Sequence, residues 1–162
     1  MGVVQGERIA VRVAEIMTSA TVTDSTTGTL RSAAEQMWRQ QLGSLVIVDG
    51  DTIAGIVTER DVLRAVARGA DPDAAPITDV MTRDVITVSP DTHIRDAARL
   101  MAQHWIRHLP IVDGGRLVGI LSQRDITGVF AALWDESGVT EIDVDNLVRE
   151  RRLARVEAGD LD

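Results

Sequence analysis

The chain has no cysteine, which removes disulfides, a thiolate nucleophile and any cysteine-ligated metal from consideration. That absence does not by itself identify a redox compartment. Positive charge is also scarce: 17 Lys and Arg stand against 25 Asp and Glu in 162 residues, a formal charge of −8 with a pI near 4.8. Such a balance disfavours non-specific binding to phosphate backbones or anionic lipid, though it leaves room for a local basic pocket. No apolar run approaches about 18 residues, and no basic-then-apolar leader precedes Val13. The expectation is a cytoplasmic protein with neither a membrane span nor a nucleic-acid partner.

Several catalytic signatures are missing as well. There is no Gly-x-Ser-x-Gly elbow, no Gly-x-x-x-x-Gly-Lys-[Ser/Thr] loop and no Gly-x-Gly-x-x-Gly turn, which disfavours hydrolase, standard NTPase and dinucleotide chemistry. His93, His104 and His108 lack the spacing and carboxylate support of a metal triad. His104 and His108 are four apart but fall on either side of an expected helix-to-strand transition. No metal site and no catalytic role are expected.

What is present is a duplication. Gly55-Ile56-Val57-Thr58-Glu59-Arg60-Asp61 recurs as Gly119-Ile120-Leu121-Ser122-Gln123-Arg124-Asp125, a step of 64 (119 − 55). The same step carries Met17-Thr18 onto Met81-Thr82 and Asp49-Gly50 onto Asp113-Gly114, and it holds without insertion across residues 13–69 and 77–133. Each copy has under about 60 residues, a size at which one core is marginal, so two copies that bury apolar faces against each other form the natural stable unit. Two are too few for a solenoid and suit a pseudo-two-fold pair.

Within a copy the order reads strand, helix, strand, strand, helix. Residues 21–23 are a short β-rich piece. Leu30, Ala33, Ala34, Met37 and Gln41 then recur at helical spacing, as do Ile94, Ala97, Ala98, Met101 and Trp105 in the second copy. Apolar runs at 45–48 and 53–57, around Asp49-Gly50-Asp51, predict a hairpin, and 109–112 with 117–121 predict its twin. Thr58 and Ser122 are cap-type residues opening second helices at 59–67 and 123–133. Residues 69–76 form a linker, with Pro76 placed to start a short turn through Val80. Residues 1–12 are a lead-in strand, helix or arm, and 134–162 a charged tail that includes a possible helix at 147–156. Trp38 and Trp105, near the ends of the first helices, read as packing anchors rather than stacking platforms.

Chemistry concentrates at the two strand-to-helix junctions. A hydroxyl at a helix N-terminus lies beside free backbone N–H groups suited to a phosphate, and a carboxylate one turn on can accept two hydrogen bonds from a vicinal diol. Thr58 with Asp61, and Ser122 with Asp125, have that form. The same spacing is a capping box, in which the side chains satisfy only their own backbone, and for one copy alone that is the simpler reading. The recurrence of the whole stretch, each time with an Arg (Arg60, Arg124) beside the acid, brings the ligand forward. An anion in a net acidic protein needs local cations, for which Arg60, Arg124, Arg107, Arg83 and His108 are candidates.

The repeated Met-Thr, the apolar strand ending in Asp-Gly, and Gly-h-h-[Thr/Ser]-x-x-Asp (h apolar) resemble a tandem pair of CBS domains, the Bateman module, across residues 13–133. The resemblance implies an α/β (α+β) fold of two β-α-β-β-α repeats packed through their sheets with pseudo-two-fold symmetry, and pockets that bind adenosyl ligands. It implies a regulatory module rather than an enzyme, with no required cofactor. AMP, ADP or ATP are the first candidates, ahead of S-adenosylmethionine or NAD. One pocket would use Thr58 and Asp61 with Thr82, Ile86, Ile106, Arg107 and Pro110 around the adenine. Its mate would use Ser122 and Asp125 with Thr18, Val22, Leu42 and Gly43, and His108 near the phosphates. Because Val46 replaces the family's proline where the second copy has Pro110, the Asp61 pocket is the expected stronger one. A homodimer acting on a partner protein in trans is the leading expectation; a structural dimer with empty pockets is the other.

Overall fold

The computed structural model describes residues 11–19 and 21–137. The expectations for residues 1–10 and for the tail beyond 137 fall outside them. In chain order come α1 (Val13–Ile16), β1 (Thr23–Ser25), α2 (Leu30–Gln40), β2 (Ser44–Asp49), β3 (Thr52–Thr58), α3 (Glu59–Ala67), a 3₁₀ turn (Ile77–Asp79), α4 (Ile94–His104), β4 (His108–Asp113), β5 (Arg116–Ser122) and α5 (Gln123–Ser137). This is a mixed α+β fold. The described residues up to Gly128 form one compact unit that holds the first copy and most of the second, and α5 runs to Ser137. The expected end of α5 near Leu133 is thus four residues short; no proline interrupts the run that follows.

The helical stripes form as their spacing dictates. Thr29 caps α2, accepting from Ser32 N at 3.2 Å while Ser32 Oγ accepts from Thr29 N at 2.9 Å, and Leu30, Ala33 and Met37 are buried. In α4, Ile94, Ala97 and Met101 take the same places. Gln41 and Trp105, expected on the helical faces, instead end the helices in left-handed backbone, each at φ 55°. Leu42 N and Ile106 N then bond back to Met37 O and Met101 O, at 2.9 and 3.1 Å. A non-glycine stop of this kind leaves the apolar period unbroken, so pattern alone runs through it.

Both hairpins form antiparallel ladders, Leu45 opposite Val57 and Leu109 opposite Leu121. Each carries one unpaired residue, Ala54 or Val118, at a bulge in the same relative place. The lead-in strands differ. β1 pairs parallel with β2 over Thr23, Asp24 and Ser25, whereas in the second copy only Val88 bridges Ile111. Pro110 stands in β4 where β2 has Val46 and has no N–H to donate, which shortens the ladder.

The unit of sequence repeat is not the unit of packing. Thr18 pairs with Ile120 of the second copy, and Thr82 with Ile56 of the first, by reciprocal backbone bonds of 2.9–3.0 Å. One core gathers Ala33, Met37, Leu45, Ile47 and Val57 with Ile77 and Met81 from across the step. The other gathers Ala97, Met101, Leu109, Ile111 and Leu121 with Val13. Gly55 and Gly119 are needed for this crossing: a Cβ would lie 2.6 Å from Met81 Sδ at the first and 2.8 Å from Met17 Sδ at the second, with a backbone oxygen at 2.9 or 3.0 Å. The linker is tied down too, since Pro72 O and Ala75 O accept from the first amides of α2. The copies meet where β3 lies against β5.

Candidate functional site

At each junction a β-strand hands its last hydroxyl to a helix N-terminus, and the next acid folds back onto it. Ser122 N and Oγ donate to Asp125 Oδ2 at 2.7 and 2.6 Å, and Asp125 N donates to Ser122 Oγ at 3.3 Å. Thr58 and Asp61 repeat the arrangement at 2.8, 2.7 and 3.4 Å. Both junctions are therefore closed capping boxes. The first amide of α3 is also bonded to Gly43 O, and that of α5 to Arg107 O.

Beyond the boxes the two junctions diverge. Asp61 is 6 % exposed, and its other oxygen, Oδ1, is ion-paired with Arg64 Nη2. Gly128 stands at the place of Arg64 in the second copy, and among the described residues Asp125 has no ion-pair partner. A cavity of about 940 Å³ opens at this second junction, a volume within the range of about 300–1,000 Å³ usual for small-molecule sites.

The cavity brings together Thr18, Val22, Leu42, Gly43, His108, Ser122 and Asp125, the residues expected for that pocket, with Arg124 beside them. Arg107, expected beside Asp61, lines it too, and its guanidinium reaches Glu59 Oε2 at 3.9 Å. Gly43 is where the second copy has Arg107. A Cβ there would come within 2.9 Å of His108 Nε2, so the missing side chain leaves space for the imidazole. Burial first, then neighbouring Arg107, pushes the His108 pKa down, against the upward pull of Glu59 and Asp125. Burial and Arg107 thus favour the neutral imidazole.

The other expected set does not line this cavity. Thr58 bonds to Asp61 and Asp61 pairs with Arg64, Ile86 and Ile106 pack against the second core, and Pro110 is fully buried in β4. Thr82 is engaged with Ile56, and Arg60 and Arg83 are exposed. The expected preference for the Asp61 pocket rested on the proline difference, which shortens a strand; the ion pair with Arg64 is what sets that junction apart. The expectation for Trp38 is corrected. This residue is 77 % exposed and lines the cavity, so it anchors no core.

Sequence reasoning missed Thr21 and Glu59, both of which line the cavity. Thr21 Oγ1 is buried without a hydrogen-bond partner, a costly state for a hydroxyl unless something fills it. Its signal was available: Thr21 stands where the second copy has Val85, a polar residue at an otherwise apolar position of the repeat. No cluster of three or more candidate metal ligands exists among the described residues, and no described helix is long and apolar enough to cross a membrane.

The family model for the CBS domain matches the chain twice, at residues 13–68 and 77–132. The chain belongs to the CBS domain family. Among relatives of this CBS pair, the CBS domain-containing protein YhcV of Bacillus subtilis is 37 % identical over 115 residues, spanning 70 % of this chain and 81 % of that protein. The solved structure of a protein with CBS domains from Burkholderia ambifaria superposes with a TM-score of 0.73 at 32 % identity, covering 82 % of this chain and 100 % of that one. The CBS domain pair of protein MJ0100, solved in complex with 5′-methylthioadenosine and S-adenosyl-L-methionine, superposes at 0.71 and 29 % identity, covering 76 % and 98 %.

Proposed function

We propose that this CBS pair binds an adenine nucleotide, AMP, ADP or ATP, in the cavity at Ser122 and Asp125, and that occupancy changes how the protein engages a partner in trans. The observation that carries the reading is the convergence there of Asp125 and Ser122 with three nitrogenous cations or potential cations, Arg107, Arg124 and His108. The acid suits a ribose diol, the helix N-terminus and the basic groups suit phosphates, and Val22, Leu42, Met37 and Ile120 supply an apolar wall for a base. The adenosyl ligands in the MJ0100 complex support the adenosine part. Two arginines disfavour a sulfonium and favour a phosphate. Exposed Trp38, Leu63 and Val66 on α2 and α3 support association into a homodimer, where such side chains are covered.

A second reading, a structural dimer with unused pockets, draws on one fact: both acids already close their own capping boxes. Calorimetric titration with AMP, ADP, ATP, NAD and S-adenosylmethionine separates the two. Heat is expected with at least one adenine nucleotide, and Asp125→Asn should weaken it by about 1.5–3 kcal/mol per charge-assisted bond lost. No heat and no thermal shift with any of them leaves the structural reading.

A further inference from the structure

The two junctions share backbone, capping box and flanking arginine, but it is Ser122 and Asp125, not Thr58 and Asp61, that share the cavity with Arg107 and His108. At the Ser122 junction, Arg107 precedes β4 and His108 is its first residue; the residues at the same places around the start of β2 are Gly43 and Ser44. At the Thr58 junction the helix supplies its own cation one turn on, Arg64, which holds the one carboxylate oxygen that the capping box leaves over. Gly128 at the matching place leaves Asp125 Oδ1 without such a partner among the described residues. The unpartnered Thr21 hydroxyl lies on the open side only, and its counterpart Val85 needs no partner.

We propose that Arg64 is a built-in occupant that seals the Thr58–Asp61 junction, so that the chain takes a single ligand, at Ser122–Asp125. The inference rests on the nucleotide reading for its ligand, but the seal itself does not. The guanidinium gives Asp61 the hydrogen bond and charge that a ligand's diol and surroundings would otherwise supply. Asp61 thereby serves the fold, while Asp125 remains available.

The test has two arms. Titration of ATP into the full chain should read one site per chain, with Asp125→Asn and Gly128→Arg each weakening binding about tenfold or more and Asp61→Asn by less than about twofold. Two sites per chain, Asp61→Asn as damaging as Asp125→Asn, or Gly128→Arg binding like the unaltered protein would overturn the proposal. The second arm uses no nucleotide: thermal melts of Asp61→Asn, Arg64→Ala and the double variant should show Tm losses that are not additive. Additive losses overturn the seal even where ATP binds. Non-additive losses with no ATP heat uphold the seal and fail the nucleotide reading instead.

Discussion

The Thr58–Asp61 and Ser122–Asp125 junctions have almost the same local sequence and the same closed capping box, but one is sealed by Arg64 and the other borders a cavity. Apart from Glu59 against Gln123, the difference lies outside the seven repeated residues. It sits at four paired positions: Thr21 against Val85, Gly43 against Arg107, Ser44 against His108, and Arg64 against Gly128. A repeated motif builds the platform, and the residues that depart from the repeat decide whether anything lands on it. That is why the motif alone does not rank the two pockets.

Substitutions can show how much of the frame is shared. The largest effect is expected at the crossing glycines: Gly55→Ala and Gly119→Ala should each lose about 1–3 kcal/mol by overpacking, measured by urea denaturation. Gly55→Ala should lose more, because its Cβ would meet Met81 Sδ and Thr82 O at 2.6 and 2.9 Å, against 2.8 and 3.0 Å at Gly119. Similar losses would locate all the asymmetry in side chains; loss at one position alone would mean the frames themselves differ. Next, Gly43→Ala pushes on the His108 ring and should weaken nucleotide binding about tenfold with little change in melting temperature. Unchanged affinity would remove Gly43 and His108 from the site.

The smallest effect is a pH dependence confined to the open junction. The folded-state pKa of His108 is depressed by burial and Arg107, so the unfolded chain binds more protons just below its ordinary value. Stability from this group is full above about 6.5 and falls as pH drops from there through the folded-state value. Glu59 and Asp125 oppose the shift and Arg124 adds to it, which keeps the slope shallow. Denaturation midpoints from pH 8 to 5 should lose that slope in His108→Gln, and a bound phosphate should reverse its sign by favouring the imidazolium. A slope unchanged in His108→Gln would assign it to other groups.

Much of this was legible in the residues. The 64-residue step, the stripes led by Leu30 and Ile94, and the hairpins around Asp49-Gly50 and Asp113-Gly114 all follow from periods that the chain must obey to bury its apolar groups. The residues expected around Ser122 line one cavity; that they hold a ligand is the proposal. What eluded the reading depends on contacts between distant residues or on backbone signs. Arg64 reads as one more solvated arginine until the free oxygen of Asp61 is seen beside it. Gln41 and Trp105 keep helical spacing while turning left-handed. Trp38 sits at a helix end where an anchor is reasonable, yet it points away from every described core.

The crossing of Val13–Thr18 and Ile77–Thr82 between cores has a consequence for biosynthesis. As the chain leaves the ribosome, the first core stays unfinished until Met81 emerges, and Val13 has no cavity to enter until Leu121 follows. The first core can close once Met81 is out, but Val13 stays uncovered until the far copy follows, so a product stalled between the two carries one closed core and an exposed apolar lead segment.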